Sequence, residues 1–391
     1  MKVSIIVGGR FHAFDMAEQL SKNDFLHQLV TSYPRFYIKN NFSIHNKSII
    51  SLPLKEIIHR FASKFSIVDK YLDIDLITSN IFSSRVSKYV DFKNTDILVG
   101  WSSFSLNSFK ISKNYDCLNV LERGSSHIEF QKELLEEEYS LLGLKPKLPS
   151  SSIIDKEKEE YNLSDFICVP SEFAKKSFIK KGFSASKIIK IPYGVDLNNF
   201  KKINKDEIND RFTIICVGSL SVRKGTLYLI KAFNDLKIRN SQLILVGSIE
   251  RDFKELIKPL LNENIKLIKP VNQNFLKHYY NNASVFVTCS IEEGLSMVQI
   301  QAMACGLPVI CTTNSGGEDI ISDNESGYIL PIRNIEKLKE KLLFLYENKK
   351  HLLFMSNNAR EKAHSYFSWE NYGKNIINFY SSIFQNQIKK K

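Results

Sequence analysis

The sequence is poorest in the features that would export a chain or fasten it covalently. No apolar run approaches the roughly 20 residues that cross a bilayer, and Val3–Val7, ahead of Gly8-Gly9, has a strand's length, too short for a signal core. A cytoplasmic protein is the expectation. The six cysteines (Cys117, Cys168, Cys216, Cys289, Cys305 and Cys311) show no CxxC spacing and lie mostly in apolar, strand-like settings. They read as buried reduced thiols, with neither a disulfide framework nor a zinc site. Neither GxSxG nor GxxxxGK[ST] occurs, which sets aside a serine-hydrolase elbow and a P-loop. Zinc-finger spacings and RNA-recognition aromatic motifs are missing too, so nucleic acid is not an expected partner.

What is present is apolar content and positive charge. With 391 residues and 43% hydrophobic content the chain can bury two full cores, and two domains are expected. A net charge of +12 favours anionic partners. An anionic membrane surface and phosphorylated substrates both qualify, and charge alone does not choose between them.

The most legible chemistry runs from Ser290 to Ile310. Val285-Phe286-Val287 is a buried-type strand, Glu292-Glu293-Gly294 an acidic loop, and the helix formers that follow run to about Cys305. Gly306 and Pro308 then forbid further helix. A loop at the carboxyl end of a parallel strand, feeding a helix whose first N–H groups lack partners, is where open α/β sheets bind phosphorylated ligands. An ordinary corner with solvated acids would look the same locally. A second strand, Phe212–Val217, opens onto Gly218-Ser-Leu-Ser-Val-Arg-Lys-Gly225, where two cations stand at a glycine-flanked helix start.

The first half repeats strand, turn, helix. Lys2–Val7 runs into Gly8-Gly9-Arg10-Phe11-His12, and Phe14–Leu20 has helical spacing. Cys117–Leu121 delivers the polar loop Glu122-Arg123-Gly124-Ser125-Ser126-His127. In that loop an arginine could neutralise phosphate and a histidine could bond a sugar hydroxyl; equally, Ser125 or Ser126 could cap the next helix with His127 in its first turn. Helix Phe130–Leu142 is expected to turn Glu133 and Glu136–Glu138 to solvent. From Leu54 to Leu72 an apolar stripe is flanked by Lys55, Arg60, Lys64 and Lys70, as suits a membrane-surface helix or a helix covering a sheet. Phe36–Phe42, aromatic and basic, reads as a loop. Asp73-Ile74-Asp75 has the DxD spacing of a metal site but not its strand context, so these are helix-start acids and no metal is expected.

Glu293-Gly-Leu-Ser, followed four residues later by Gln-Ala-Met-Ala-Cys-Gly-Leu-Pro-Val-Ile310, resembles the signature of the family 4 retaining glycosyltransferases. The resemblance implies a GT-B fold, an α/β architecture of two doubly wound Rossmann-like domains facing a central cleft. It implies a nucleoside diphosphate sugar as donor, no cofactor, and an acceptor in a bacterial surface-polysaccharide pathway, on a glycan or lipid-linked acceptor. That family's paired glutamates correspond to Glu293, which would hold the donor sugar, and to position 301, where Gln301 would bond ribose. Its diphosphate loop corresponds to Gly218–Gly225: Lys224 matches the lysine, Ser219 stands where the arginine is usual, and Arg223 is the candidate substitute. Donor contacts implied elsewhere are Gly8, Gly9, Arg123, Gly294, Leu295 and Ser296, with His127 on a sugar hydroxyl. The implied division is 1–195 for acceptor binding, 196–370 for donor binding, and 371–391 as a helix returning to the first domain. A nucleotide-sugar epimerase of the same architecture and a non-catalytic sugar-nucleotide-binding protein are the alternatives. A basic, anchorless chain with a membrane-proximal acceptor would sit peripherally on the inner face of the plasma membrane.

Overall fold

The computed structural model describes residues 1–62, 74–203 and 211–390. Expectations for Lys64, Lys70, Leu72 and Asp73, and for residues 204–210 of the charged run after Asn198, lie outside the described residues.

Two wholly parallel sheets organise the chain. The first joins β1 (Val3–Val7), β2 (Leu26–Thr31), β3 (Ile49–Ser51), β4 (Ile97–Trp101), β5 (Leu118–Glu122), β6 (Phe166–Val169) and β7 (Ile188–Lys190) in the order β3-β2-β1-β4-β5-β6-β7. The second joins β8 (Phe212–Val217), β9 (Ser241–Val246), β10 (Ile265–Ile268), β11 (Val285–Thr288), β12 (Val309–Thr312) and β13 (Gly327–Leu330) in the order β10-β9-β8-β11-β12-β13. Every residue of β1, β4, β8, β11 and β12 is buried. Helices cover both faces of a parallel sheet, so its central strands read as continuous apolar runs. In each sheet the order reverses beside the first strand, at β1/β4 and at β8/β11, and those switch points open the crevices where such sheets bind ligands.

Three elements depart from the sequence expectations. Residues Arg35–Asn41 form a helix rather than a loop, started after Pro34 and anchored by buried Ile38, with Phe36 69% exposed. Helix Ile128–Leu141 does not offer all its acids to solvent. It sends Leu135 and Tyr139 into the second domain's core, and Glu138, fully buried, accepts from Arg333 Nε at 2.6 Å and the Tyr228 hydroxyl at 2.7 Å. Lys55, in helix Leu54–Ala62, turns inward beside Glu56 and lies 5.2 Å from the centre of the Phe104 ring. All six cysteines are free and buried.

The last helix, Trp369–Lys390, lies along Ala13–Lys22 of the first domain, where a Cβ on Gly373 would come 2.7 Å from the Gln19 side chain. The chain reaches it by crossing Gly194, at which a Cβ would stand 2.6 Å from the Trp369 nitrogen. Among the described residues no helix is long and apolar enough to cross a membrane.

Candidate active site

The carboxyl ends of the two sheets face one cavity of ≈ 1280 Å³. Its first-domain wall is built by the turns after β1, β4 and β5, through Phe11 and His12, Trp101–Phe104 and Glu122–Ser125. Its second-domain wall is Arg223, after β8, with Glu293 and Leu295–Val298, after β11.

Close backbone contact holds the second-domain loops together. Gly225 has φ +58°, and a Cβ there would stand 2.0 Å from the Cys289 carbonyl oxygen, so only glycine admits this approach. The Ile291 N–H donates to the Arg223 carbonyl at 2.9 Å. So stitched, the loops bring Lys224 Nζ onto Glu293 Oε2, with the two side chains 18% and 15% exposed. The next cation, Arg223, donates from Nε to Glu292 Oε2 at 2.8 Å and reaches across to Ser125 Oγ at 3.1 Å. Ser296 stands at the N-terminus of helix Met297–Ala304 without a side-chain capping bond, and it and the helix's first residues line the cavity. Gly218 and Ser219 are partly exposed and, like Lys224, are not among the residues that line the cavity. Gly294 is pressed against the first domain, where a Cβ would meet the Gly124 carbonyl oxygen at 2.1 Å.

Glu292, beside the sugar-facing candidate Glu293, belongs to neither solvent nor cavity. It is fully buried and accepts from the Ser126 N–H at 3.0 Å, Ser126 Oγ at 2.7 Å and Gln131 Nε2 at 2.7 Å, all across the domain boundary. Burial alone would raise its pKa. The Arg223 guanidinium and these hydrogen bonds outweigh that and hold it at about 2.

On the first-domain wall the assigned roles need correction. His127 does not reach the cavity. It caps helix Ile128–Leu141, its Nδ1 accepting the Glu129 N–H at 3.2 Å, while Tyr161, Phe178 and Phe183 enclose the ring. Burial pushes its pKa down to about 4, which keeps it neutral, and it is a structural cap. Arg123 does line the cavity, but its guanidinium is engaged by Glu157 at 2.7 Å, Gln131 Oε1 at 3.2 Å and the Ser126 carbonyl at 3.1 Å. Gly8 and Gly9 admit the rings of Phe104 and Phe11, which present the surface instead. Gln301 is 3% exposed, accepts from the Tyr280 hydroxyl at 3.2 Å and does not line the cavity. The sequence reading missed His12. It lines the cavity with Nε2 3.1 Å from Glu122 Oε2, and its only local signal was a histidine closing the glycine turn after β1.

Two parallel Rossmann-like sheets with a cleft between their carboxyl ends define a GT-B fold. Residues 198–362, within the second domain, match the family described as glycosyl transferases group 1. The chain is 30% identical over 214 residues to the capsular polysaccharide biosynthesis glycosyltransferase CapM of Staphylococcus aureus, covering 52% of this chain and 56% of CapM. It spans about half the length of the first curated relatives it matches, 56% and 55%. Among solved structures it resembles a sucrose-phosphate synthase from Thermosynechococcus elongatus, with TM-score 0.74 and 18% identity over 99% of this chain and 100% of that one. It also resembles HepE of Anabaena in complex with UDP, with TM-score 0.69 and 16% identity over 98% and 100% of the two chains.

Glu292 makes a measurable acid signature. Folding lowers its pKa from 4.5 to about 2, so its contribution is whole above pH 4.5 and disappears as pH falls through 2. At 1.36 kcal/mol per pH unit this is about 3 kcal/mol. Thermal unfolding of Glu292→Gln should show a lower Tm at pH 7 and a flatter decline between pH 4.5 and 2 than the natural protein. Equally steep declines would assign the acid sensitivity to other carboxylates.

Proposed function

We propose that the protein transfers a sugar, with retention at the anomeric carbon and without metal or prosthetic group, from a nucleoside diphosphate sugar to an acceptor hydroxyl. The observation that carries this reading is Glu293 on the cavity's second-domain wall, paired from behind with Lys224 and standing beside Arg223 and a helix N-terminus. Without donor, each ion neutralises the other. A diphosphate offers Lys224 a stronger anionic partner, and its arrival frees Glu293 to accept hydrogen bonds from the sugar's hydroxyls. The anomeric carbon's bond to phosphate breaks with its electron pair leaving on the diphosphate, where cations and the helix N–H groups stabilise the charge. The departing phosphate oxygen takes the acceptor's proton as the acceptor oxygen bonds the anomeric carbon, and no protein nucleophile is needed. UDP in HepE, a protein of this fold, supports a uridine donor as the first to try.

Calorimetry with UDP-, GDP- and ADP-sugars should find one that binds, and Lys224→Ala and Glu293→Ala should each weaken it tenfold or more, as expected for losing a charge-assisted bond of about 1.5–3 kcal/mol. If both variants stay folded and bind like the natural protein, the donor site lies elsewhere.

Metal independence rests on Lys224, the cation a diphosphate can draw from Glu293, which would supply the charge that a divalent ion would otherwise bring. Turnover is expected to survive EDTA. Its abolition by chelator and restoration by magnesium or manganese would refute this part.

The acceptor is proposed to be lipid-linked or borne on a membrane-proximal glycan, with the protein peripheral on the inner face of the plasma membrane. The support is a net charge of +12 and a first-domain helix, Arg35–Asn41, that exposes Phe36 and Lys39. Lys55 lines the cavity and is not part of this surface. Each cation near an anionic bilayer contributes about 1 kcal/mol. Co-sedimentation with phosphatidylserine vesicles should therefore fall with salt and with Phe36→Ser plus Lys39→Glu. Equal recovery in the supernatant with neutral and anionic vesicles would argue against a membrane role.

A further inference from the structure

We infer that Phe11, with Phe104 beside it, is a platform on which the acceptor lays the flat face of a sugar ring, so that the acceptor is the end of a glycan rather than a bare lipid phosphate or a small polyol. The proposal rests on the transfer reading above and names the chemistry of its second substrate.

Phe11 follows the glycine turn after β1, lines the cavity and is 56% exposed. Among the described residues no other large apolar side chain so open to solvent lines the cavity. A single exposed phenylalanine on an outer surface needs no explanation, but this one stands on a cavity wall and is held there against backbone preference. Its φ is +38°, in the left-handed region that a residue with a bulky side chain adopts only under constraint. Gly9 makes room for the ring, since a Cβ there would stand 2.7 Å from Phe11 Cε2. Gly8 does the same for Phe104, where a Cβ would come within 2.3 Å of the ring. The two ring centroids are 6.4 Å apart with their planes at 51°, which makes an open corner. The Phe104 side of that corner is pinned through its loop. Ser103 donates its N–H to Glu160 Oε2 and its hydroxyl to Glu157 Oε1, both at 2.6 Å, and Glu160 Oε1 accepts the N–H groups of Ser105 at 2.7 Å and Leu106 at 2.9 Å.

The surroundings select a sugar over a lipid chain. The cavity that the rings line is also lined by Lys55, Thr78 and Ser102. Thr78 and Ser102 donate their hydroxyl hydrogens to the Ile74 carbonyl at 2.7 Å and the Glu122 carbonyl at 3.3 Å, which leaves their oxygens lone pairs with which to accept. An alkyl chain would take these polar groups out of water without pairing them. A pyranose brings both kinds of surface: weakly positive C–H hydrogens for the negative faces of the aromatic rings, and hydroxyls on its rim for the polar groups. The corner is also one loop away from the donor. The Ser102 N–H donates to the Glu122 carbonyl at 3.2 Å, tying the loop of Phe104 to the loop of Gly124, and Gly124 touches Gly294 next to Glu293. A sugar on Phe11 and a sugar at Glu293 thus share one cavity, as transfer between them requires.

The natural protein is compared with Phe11→Ala, with Phe11→Trp, which keeps an aromatic face, and with Gly9→Ala, whose methyl group displaces the Phe11 ring while leaving the phenylalanine in place. Circular dichroism checks folding, and if Phe11→Ala does not fold, Gly9→Ala carries the test. Binding is read on an array of glycans ending in neutral and acidic hexoses, with farnesyl phosphate and glycerol 3-phosphate as sugar-free probes, and nucleotide-sugar affinity is read separately by calorimetry. The natural protein should hold glycans of the array, and Phe11→Ala and Gly9→Ala should weaken that binding about tenfold, the size of one aromatic contact. Phe11→Trp should keep most of it, with nucleotide-sugar affinity the same throughout. With a bound glycan as acceptor, Phe11→Ala should raise the acceptor KM and leave kcat and the donor KM nearly unchanged. Unaltered glycan affinity in Phe11→Ala would overturn the platform, as would a natural protein that holds no glycan of the array, whether or not it holds a sugar-free probe. The two readings fail separately: Phe11-dependent glycan binding without nucleotide-sugar binding removes the transfer reading and leaves the platform, whereas nucleotide-sugar binding with Phe11-independent glycan binding does the reverse.

Discussion

A carboxylate removed from water must find compensating charge and hydrogen bonds at once, and Glu292 finds them from both domains. Arg223 supplies the charge from its own side, while Ser126 and Gln131 supply three hydrogen bonds from the other. The network continues through Gln131 and Arg123 to Glu157, which in turn accepts from the Tyr161 hydroxyl at 2.7 Å and Ser103 Oγ at 2.6 Å. Moving one domain against the other would leave a fully buried anion short of partners. The separation of the cavity walls is therefore set by electrostatics at its floor, and Glu138 with Arg333 and Tyr228 repeats the device further out.

The sheets were legible because buried parallel strands write themselves as continuous apolar runs. Phe212–Val217 can be read off with its bounds. β2 is harder to see because Leu26, His27 and Gln28 are only half-buried, and β3 because three residues carry too little pattern. The second-domain site was legible for a related reason: Lys224 and Glu293 each sit in a contiguous loop fixed by local glycines. The first-domain site was not, since its wall is assembled from the ends of β1, β4 and β5, far apart in sequence and with no shared motif.

Adjacent or like residues also divide roles in ways that only packing decides. Glu292 and Glu293 point to opposite sides of one loop, one into the domain boundary and one into the cavity. His127 follows a promising loop, yet it folds under that loop as a helix cap, while His12 takes the open wall. Gln301 keeps the spacing of a ribose ligand, but its side chain is committed to Tyr280. Sequence spacing fixes which helix face a residue shares. It does not say whether a neighbouring element has already claimed that face.

The same logic limits what the net positive charge can mean for the cavity. Arg123 is matched by Glu157, Arg223 by Glu292, Lys224 by Glu293 and Lys55 by Glu56, so the cations at the cavity do not form an unopposed positive field. A ligand gains there only by exchanging partners. Of these carboxylates Glu292 is too deeply bonded to release its cation, and Glu157 holds Arg123 together with Gln131. Glu293 is held by Lys224 and remains partly exposed at the wall. That makes Lys224–Glu293 the pair that a polyanion can open at least cost. It also explains why a ligand that carries both a diphosphate and hydroxyls suits the cavity better than either alone: the phosphate takes the lysine, and the hydroxyls satisfy the glutamate it leaves behind.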